Sequence, residues 1–458
     1  MKYFFETYGC QMNLAESAAL SLAARERGWE ETDNAGEADL VLLNTCSVRA
    51  TAEQRVFGRL AHYAALKKKM MSGEIPERRT AFTLVMAGCM SQRLGEEIKK
   101  DFPAVDYVMG TSERSRFPLI LEAAEQGRTG ASRLFTETDE KPVFAFSQVH
   151  LDPAGENPFR SFVPIMHGCN NYCSYCIVPY VRGREISRGP DSILEEIRLL
   201  GSRGVREITL LGQNVNSYLY DTLDFPGLLE LIARNLNESG GVSWVRFLSS
   251  HPKDFSPKTV EALAANPCFC RHIHLCVQHG SNRILEAMNR RYSREQYLDL
   301  VNRLRSALPG VSLSTDILVG FPGETEDDLE ATLSLMEEVK FLYAYMYHYN
   351  PREGTAAYNL PGRIDEEVKR RRLSKVIALQ KQHTAFLLKS RLGEEVVVLV
   401  EGISRKNADE LICRTERDEM VVVPGRAEAV GSFGKLTLSS LRGNTFRAGN
   451  LELICEAK

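Results

Sequence analysis

Three cysteines crowd into the stretch His167-Gly168-Cys169-Asn170-Asn171-Tyr172-Cys173-Ser174-Tyr175-Cys176, in the spacing C-x3-C-x2-C. Thiolates set this close can face one small object together. A disulfide would use two of them, and a structural zinc site takes four nitrogen or sulfur donors. The next cysteine downstream is Cys268, far along the chain. Three fixed donors leave a fourth metal corner open, which is the arithmetic of a cubane iron–sulfur cluster with one free iron. Gly168 permits a tight backbone approach, and Tyr175 offers a flat ring beside the last thiol. The competing readings are a zinc loop, which lacks its fourth ligand here, and a redox cysteine cluster.

A second trio emerges from the elements around it. Residues 2–9 read as a strand ending at Cys10, and Ala38–Leu43 as a buried strand ending at Asn44-Thr45-Cys46. Thr80–Ala87 reads as a third strand, ending at Gly88-Cys89, and Val105–Met109 as a fourth. Helical patterns cover Glu16–Gly28, Ala52–Lys69, Ser91–Asp101 and Arg116–Gln126. Alternation of strand and helix predicts a parallel, doubly wound sheet. Cys10, Cys46 and Cys89 then each stand just past the carboxyl end of a strand, on the rim where such sheets bind ligands. That is again three thiolates with one open metal position. Three unrelated core cysteines are the alternative. Gly9 and Gly88 let the backbone approach a bulky group beside two of them.

The chain has 458 residues, enough for two or three domains, with 43% hydrophobic residues. A formal charge of −3 excludes a globally basic nucleic-acid binder, so any RNA surface must be local. Eleven cysteines, no basic-then-apolar leader in residues 1–20 and no membrane-length apolar run predict a soluble cytoplasmic protein. In a reducing compartment such cysteines bind metal rather than pair.

Periodicity fades after residue 126, and Pro142, Pro153 and Pro158 punctuate a connector, so a domain boundary is expected near 145–155. Beyond it, strands are expected at Phe162–Met166, Glu207–Leu211, Trp244–Ser249, His272–Val277, Ser312–Val319 and Ala344–Tyr349, with helices between them. The pattern predicts an open, partial (βα)6 barrel, whose chemistry sits at the carboxyl ends of its strands. The cysteine loop follows the first of those ends. Gly212, Gln213 and Asn214, then Ser250, Gln278 and Asp316, mark others. The row Tyr343, Tyr345, Tyr347, Tyr349 alternates at period two. Filling the barrel is its expected role, with stacking on a nucleobase the alternative. Cys268-Phe269-Cys270 with His272 and His274 suggests zinc superficially, but an alternating half-polar strand explains the histidines equally.

Ile364–Arg391 is expected to be a basic helix, carrying nine Lys or Arg (Arg363 included) against three acids. Arg370, Arg371, Arg372 and Lys375 are its candidates for phosphate contact. Beyond Gly393, short strands at Glu395–Glu401, Glu410–Arg414, Met420–Val423, Ala427–Val430, Lys435–Ser440 and Asn444–Cys455 predict a small β-barrel. The expected domains are therefore 1–145, 150–388 and 389–458.

The C-x3-C-x2-C loop with an aromatic before its third cysteine resembles the signature of the radical SAM enzymes. Gly9-Cys10-Gln11-Met12-Asn13, Asn44-Thr45-Cys46-Ser47-Val48-Arg49 and Gly88-Cys89-Met90-Ser91-Gln92-Arg93 resemble the three cysteine motifs of the methylthiotransferases, most closely the MiaB type. Sister enzymes acting on a ribosomal protein or on threonylcarbamoyl-adenosine usually read Gly-Cys-Pro-Lys-Asn or Gly-Cys-Lys-Val-Asn at the first motif. The final segment is similar to the RNA-binding TRAM domain. Pro and Ser are expected in this family where the chain has Cys276 and His279.

The resemblance implies two 4Fe-4S clusters, a radical cluster on Cys169, Cys173 and Cys176 and an auxiliary one on Cys10, Cys46 and Cys89. It implies S-adenosylmethionine as methyl donor and radical source, held by Tyr175, Gly212, Gln213, Asn214, Ser250, Gln278 and Asp316. The implied reaction is methylthiolation of C2 of N6-isopentenyladenosine beside the tRNA anticodon, by a monomer served by flavodoxin or ferredoxin. The base would be turned out into a cavity between the two clusters. The alternatives are the two sister substrates and a non-catalytic iron–sulfur or RNA-binding factor.

Overall fold

The computed structural model describes residues 1–47, 50–74, 81–127, 133–135 and 158–454. Val48, Arg49, Thr80, the boundary expected near 145–155 and Cys455 lie outside the described residues. The chain forms two compact units. One holds the N-terminal region together with His167–Asn170 and Ile177–Arg188, and the other holds Leu151–Met166, Asn171–Cys176 and everything from Gly189 onward.

The N-terminal unit is built on β1 (Lys2–Thr7), β2 (Glu30–Glu31), β3 (Leu40–Thr45), β4 (Thr83–Gly88), β5 (Tyr107–Met109) and β6 (Arg133–Phe135). They form one sheet in the order β2-β1-β3-β4-β5-β6, and every pairing is parallel. Period-two alternation splits the strands between two cores. Leu40 and Leu42 pack with Leu20, Phe117 and Ile120 on one face. Val41 and Leu43 pack with Val56, Leu60, Phe82 and Ile98 on the other. Helices α1 (Gln11–Glu26) and α4 (Phe117–Glu125) supply the first layer, and α2 (Ala50–Met71) and α3 (Cys89–Asp101) the second. Helix α1 starts at Gln11, ahead of the expected Glu16, because Met12 and Ala15 are buried and extend its apolar face. Strand β6 falls in the stretch expected to be connector. The short helix α5 (Val178–Arg182) joins this unit: Ile177 and Val181 pack on Cys89, and Thr111 Oγ1 donates to the Val181 carbonyl at 2.5 Å.

In the second unit six strands follow one another with helical crossovers: β7 (Arg160–Pro164), β8 (Glu207–Leu211), β9 (Trp244–Phe247), β10 (His272–His274), β11 (Ser312–Val319) and β12 (Tyr343–His348). They pair in parallel as β9-β8-β7 and β10-β11-β12, and bridges Val245↔Phe269 and Ser250↔Leu275 join the two halves. The strand order is that of a partial barrel, with β7 and β12 as its edges. Helices α6 (Pro190–Ser202), α7 (Phe225–Ser239), α8 (Pro257–Ala265), α9 (Asn282–Ala287), α10 (Arg294–Ala307) and α11 (Glu326–Val339) occupy the crossovers. Helix α12 (Glu366–Ser390) lies along β12, where Gln380 Nε2 donates to the Phe341 carbonyl at 2.7 Å and Thr384 Oγ1 to that of Leu342 at 2.7 Å.

The C-terminal strands β13 (Glu395–Ser404), β14 (Asn407–Thr415), β15 (Met420–Pro424), β16 (Phe433–Thr437), β17 (Ser440–Arg442), β18 (Thr445–Arg447) and β19 (Glu452–Leu453) form one sheet ordered β17-β18-β15-β14-β13-β16-β19. Val398, Val400, Leu411, Val421, Val423, Leu436 and Phe446 share its core. The strand expected at Ala427–Val430 is instead a 3-10 turn over Ala427–Ala429 with no buried residue. The turn between β14 and β15 caps the foot of the barrel. Arg246 donates to the carbonyls of Glu416 and Thr415, each at 2.8 Å, and Ser312 Oγ to that of Arg417 at 3.2 Å. Arg246 also pairs with buried Glu207 at 2.9 Å, and Arg160 links Glu207 to Glu401.

Candidate active site

The sheet of the N-terminal unit delivers its three cysteines to one rim. Cys10 is the residue before α1, Cys46 follows β3 directly, and Cys89 opens α3. Asn13 and Asn44 knit the rim: Asn13 Nδ2 donates to Asn44 Oδ1 at 3.1 Å and the Thr45 carbonyl at 3.0 Å, and Asn44 Nδ2 returns to the Asn13 carbonyl at 2.9 Å. The Cys10 thiol donates to Asn13 Oδ1 at 3.3 Å. Both glycines are obligatory. A Cβ on Gly9, at φ +134°, would lie 2.6 Å from Cys46 Cβ, and one on Gly88, at φ +95°, 2.4 Å from the Thr45 carbonyl oxygen.

Burial pushes the Cys89 thiol up to about 12; Arg182 opposes this, while Cys46, Glu16 and Cys10 add repulsion. Arg182 is 4% exposed and donates to Glu16 Oε1 at 2.6 Å, which Arg114 also reaches at 3.2 Å. Arg182 Nη2 and His167 Nε2 remain buried without a partner. A rim of three thiols beside a guanidinium with one open nitrogen suits an anionic metal group. It does not suit one zinc ion, whose sulfurs at about 2.3 Å from the metal lie roughly 4 Å apart. Among the described residues, the one His, Cys, Asp or Glu trio with ligand atoms mutually within 4.8 Å is His274, Cys276 and Asp316.

The cysteine loop is fixed from both ends. Within the N-terminal unit, Cys169 N donates to the Gly183 carbonyl at 3.1 Å, and Gly168 holds φ +79°. Within the second unit, Ser174 N donates to the Met288 carbonyl at 3.0 Å, and Asn289 Nδ2 to those of Asn171 at 3.2 Å and Tyr172 at 3.0 Å. Buried Arg290 reaches Cys173 Sγ at 3.4 Å, the Tyr175 hydroxyl at 3.5 Å and the Cys276 carbonyl at 2.6 Å. Sequence reading missed Arg290, since an arginine in a turn after a short helix carries no motif of its own.

At the neighbouring strand ends the barrel leaves polar atoms without partners. Gln213 Oε1, Asn214 Oδ1, Ser250 Oγ and His251 Nε2 are all buried and unsatisfied. Asn214 spends its amide on Asp254 at 2.7 Å, and Asn216 grips the His251 backbone with two hydrogen bonds of 2.8 Å. Leaving a buried polar atom unpaired costs about 1–3 kcal/mol, so four together mark a place for a polar ligand. Gly212 packs so tightly that a Cβ would meet Met166 Cγ at 2.5 Å. Gln278 sits at φ +69°, its backbone paired with Asp316 and Leu318. This donor set fits the amino acid and ribose groups of S-adenosylmethionine.

The two residues that depart from the expected pattern have different surroundings. His279 is wholly buried, accepts from Ser281 N at 3.1 Å and lies 3.5 Å from Glu324, so it belongs to the core. Cys276 Sγ stands 3.8 Å from His274 Nε2. His274 Nδ1 accepts from Ser249 N at 3.2 Å, which leaves the proton on Nε2, 3.7 Å from Asp316. Nε2–H then faces Cys276 Sγ and Asp316, too far from the carboxylate for a hydrogen bond, and Nδ1 is taken up by the backbone amide. His272 contacts Ser314 Oγ at 2.8 Å, so the zinc pattern around Cys268 and Cys270 is not assembled among the described residues.

The basic helix is partly committed to the fold. Arg372 is 5% exposed and binds Glu324 at 3.0 Å and Glu326 at 2.9 Å. Arg371 reaches Glu326 at 3.1 Å, and Lys375 lies 3.6 Å from it, both from exposed positions. Arg370 is exposed. No helix among the described residues is long and apolar enough to cross a membrane.

Comparison with known proteins gives three domain matches. The Radical SAM superfamily matches residues 163–336, Uncharacterized protein family UPF0004 residues 2–110, and the TRAM domain residues 389–444. Among solved structures, a radical S-adenosylmethionine methyltransferase, TsrM, from Kitasatospora setae is similar in fold, with TM-score 0.60 and 17% identity over 78% of this chain and 75% of that one. The tRNA-2-methylthio-N(6)-dimethylallyladenosine synthase of Treponema denticola is 50% identical over 98% of this chain and 99% of its own length. That of Geobacter sulfurreducens is 40% identical over 96% and 95%. With relatives this similar along both full lengths, and with all three domains in their order, the chain belongs to the tRNA-2-methylthio-N(6)-dimethylallyladenosine synthase family of radical SAM enzymes.

Proposed function

We propose that this protein installs a methylthio group at C2 of N6-isopentenyladenosine beside the tRNA anticodon. The observation that carries the reading is the second thiol site: Cys10, Cys46 and Cys89 on one rim, with the Arg182 guanidinium at Cys89, paired to Glu16 through one nitrogen and left open at Nη2. Cleaving S-adenosylmethionine needs one cluster, and inserting sulfur calls for a further one. When bound, a cluster on Cys169, Cys173 and Cys176 supplies with S-adenosylmethionine the one-electron chemistry that an aromatic C–H demands, and an auxiliary cluster on Cys10, Cys46 and Cys89 supplies sulfur.

The protein's own groups do the rest. Arg182 offsets negative charge at the auxiliary site, and Arg290 does the same beside Cys173. Gln213, Asn214, Ser250 and His251 satisfy their open valences on the cofactor, with Tyr175, Gly212, Gln278 and Asp316 lining the same rim. Arg370, Arg371 and Lys375 contact RNA phosphates, and Arg372 holds their helix in place. The domains divide at about 145–150 and 388. The protein works as a monomer in the cytoplasm, where its tRNA is found, and takes electrons from flavodoxin or ferredoxin.

Mass spectrometry of tRNA nucleosides from a deletion strain tests the substrate. Isopentenyladenosine should accumulate in place of its 2-methylthio form, and unchanged 2-methylthio-isopentenyladenosine refutes the reading. Reconstituted protein given S-adenosylmethionine and dithionite should release 5′-deoxyadenosine.

A further inference from the structure

The last barrel strand carries rings that the reaction leaves unassigned. In β12, Tyr343, Tyr345 and Tyr347 alternate with Ala344, Met346 and His348. The second set belongs to the face covered by α12: His348 lies 3.9 Å from Glu366 of that helix. A period of two therefore turns the tyrosines to the barrel interior. The register agrees. Tyr343 lies beside Ser314 and Tyr345 beside Asp316, and Ser314 lies beside His274. The Tyr345 ring stands 5.6 Å from the His274 ring, edge to face.

Barrel filling, the expected role, would bury these rings. Tyr345 is instead 50% exposed and Tyr347 37%, in an interior where His272, His274, Cys276 and Leu318 are each under 9%. The difference follows from topology, since β12 is an edge strand with no further strand paired beyond it among the described residues. Residues two apart on a strand are separated by about 6.6 Å. One flat ring stacked between two others needs about 3.4 Å on each side. The repeat of the strand thus matches a slot for a single aromatic ring. The flanking wall is polar, with Asp316 and the Nε2–H of His274 at the level of Tyr345.

We infer that Tyr345 and Tyr347 form the stacking wall that receives the substrate's nucleobase, a purine turned out of the RNA. The inference rests on the proposed function and adds the base subsite to it. Loss of one stacking ring weakens binding roughly 5- to 150-fold.

The test uses the full chain with its iron–sulfur content restored and an anticodon stem-loop RNA carrying isopentenyladenosine. Tyr345→Ala and Tyr347→Ala should each raise the RNA Kd by at least fivefold, and Tyr345→Phe and Tyr347→Phe should restore it. Release of 5′-deoxyadenosine without RNA should stay at the parental rate in all four, which also shows that the variants fold. Alanine variants that bind RNA within twofold of the parent overturn the inference and leave the proposed function standing. Parallel loss of RNA-free 5′-deoxyadenosine release would assign the rings to the cofactor and also overturns it. A parent that neither binds nor modifies the RNA defeats the proposed function itself, and with it the subsite.

Discussion

Gly168→Ala separates the radical site from the rest of the molecule. Gly168 holds φ +79°, and a Cβ there would lie 2.0 Å from the Arg184 carbonyl oxygen, 2.5 Å from its carbon and 2.7 Å from the Gly183 oxygen. A left-handed conformation costs a non-glycine residue about 1–2 kcal/mol. The steric term is larger, because a carbon and a carbonyl oxygen settle near 3.3 Å. The two segments must part by more than 1 Å, which breaks the 3.1 Å bond from Cys169 N to the Gly183 carbonyl, worth about 1 kcal/mol. Backbone atoms on both sides leave no flexible side chain to yield. The cost, about 3 kcal/mol or more, falls on the loop that presents Cys169, and a misplacement of about 1 Å at a reacting centre can cost 10²-fold in rate. Iron should fall from about eight per chain toward about four, and 5′-deoxyadenosine release should drop at least a hundredfold. Gly204→Ala is the control, since Gly204 has φ +92° but nothing within 4 Å of its Cβ position. A Gly168→Ala protein with full iron and parental 5′-deoxyadenosine release would refute the reasoning.

Gly88→Ala should do the reverse, because its Cβ would meet the Thr45 oxygen at 2.4 Å and Asn44 Oδ1 at 2.5 Å: methylthiolation lost, RNA-free 5′-deoxyadenosine release retained. Cys10→Ala and Cys169→Ala should divide in the same way, and equal loss of 5′-deoxyadenosine from both contradicts two separate sites. Ser250→Ala removes a buried hydroxyl that has no partner, so the melting temperature without ligand should hold or rise while S-adenosylmethionine binding, read by calorimetry, weakens roughly tenfold. Arg246→Met leaves Glu207 buried with half its ion pairing gone and frees the turn that caps the barrel foot, so chemical denaturation should show a loss of about 3–5 kcal/mol. Burial lowers the His272 pKa from its ordinary 6.5 to about 4. The unfolded chain therefore takes up the proton first as pH falls, and stability drops between pH 6.5 and 4. From neutral pH to pH 5 the parent should lose about 2 kcal/mol more than His272→Gln, and equal acid sensitivity of the two would show that His272 does not titrate this way.

The chemistry of this protein was largely written in linear order. Cys169, Cys173 and Cys176 are spaced by the chain itself, so their shared purpose needs no fold to be seen. Cys10, Cys46 and Cys89 are distant in sequence, yet each follows an apolar run. The parallel-sheet rule turns that into a common rim, because every strand end in such a sheet points the same way. What pattern reading could not reach depends on packing between segments. Arg182 and Arg290 are ordinary arginines until folding buries one beside Cys89 and the other beside Cys173. Arg372 looks like its neighbours in a basic run, and only α11 beneath it makes it a structural clasp. The unsatisfied atoms of Gln213, Asn214, Ser250 and His251 exist only because the folded barrel removes them from water without giving them partners. The alternation of Tyr343, Tyr345 and Tyr347 was legible, but their exposure was not, since whether an inward ring is buried depends on whether another strand lies beyond it. Sequence fixes which groups are present and how they repeat; burial and charge environment come from neighbours that only the tertiary fold supplies.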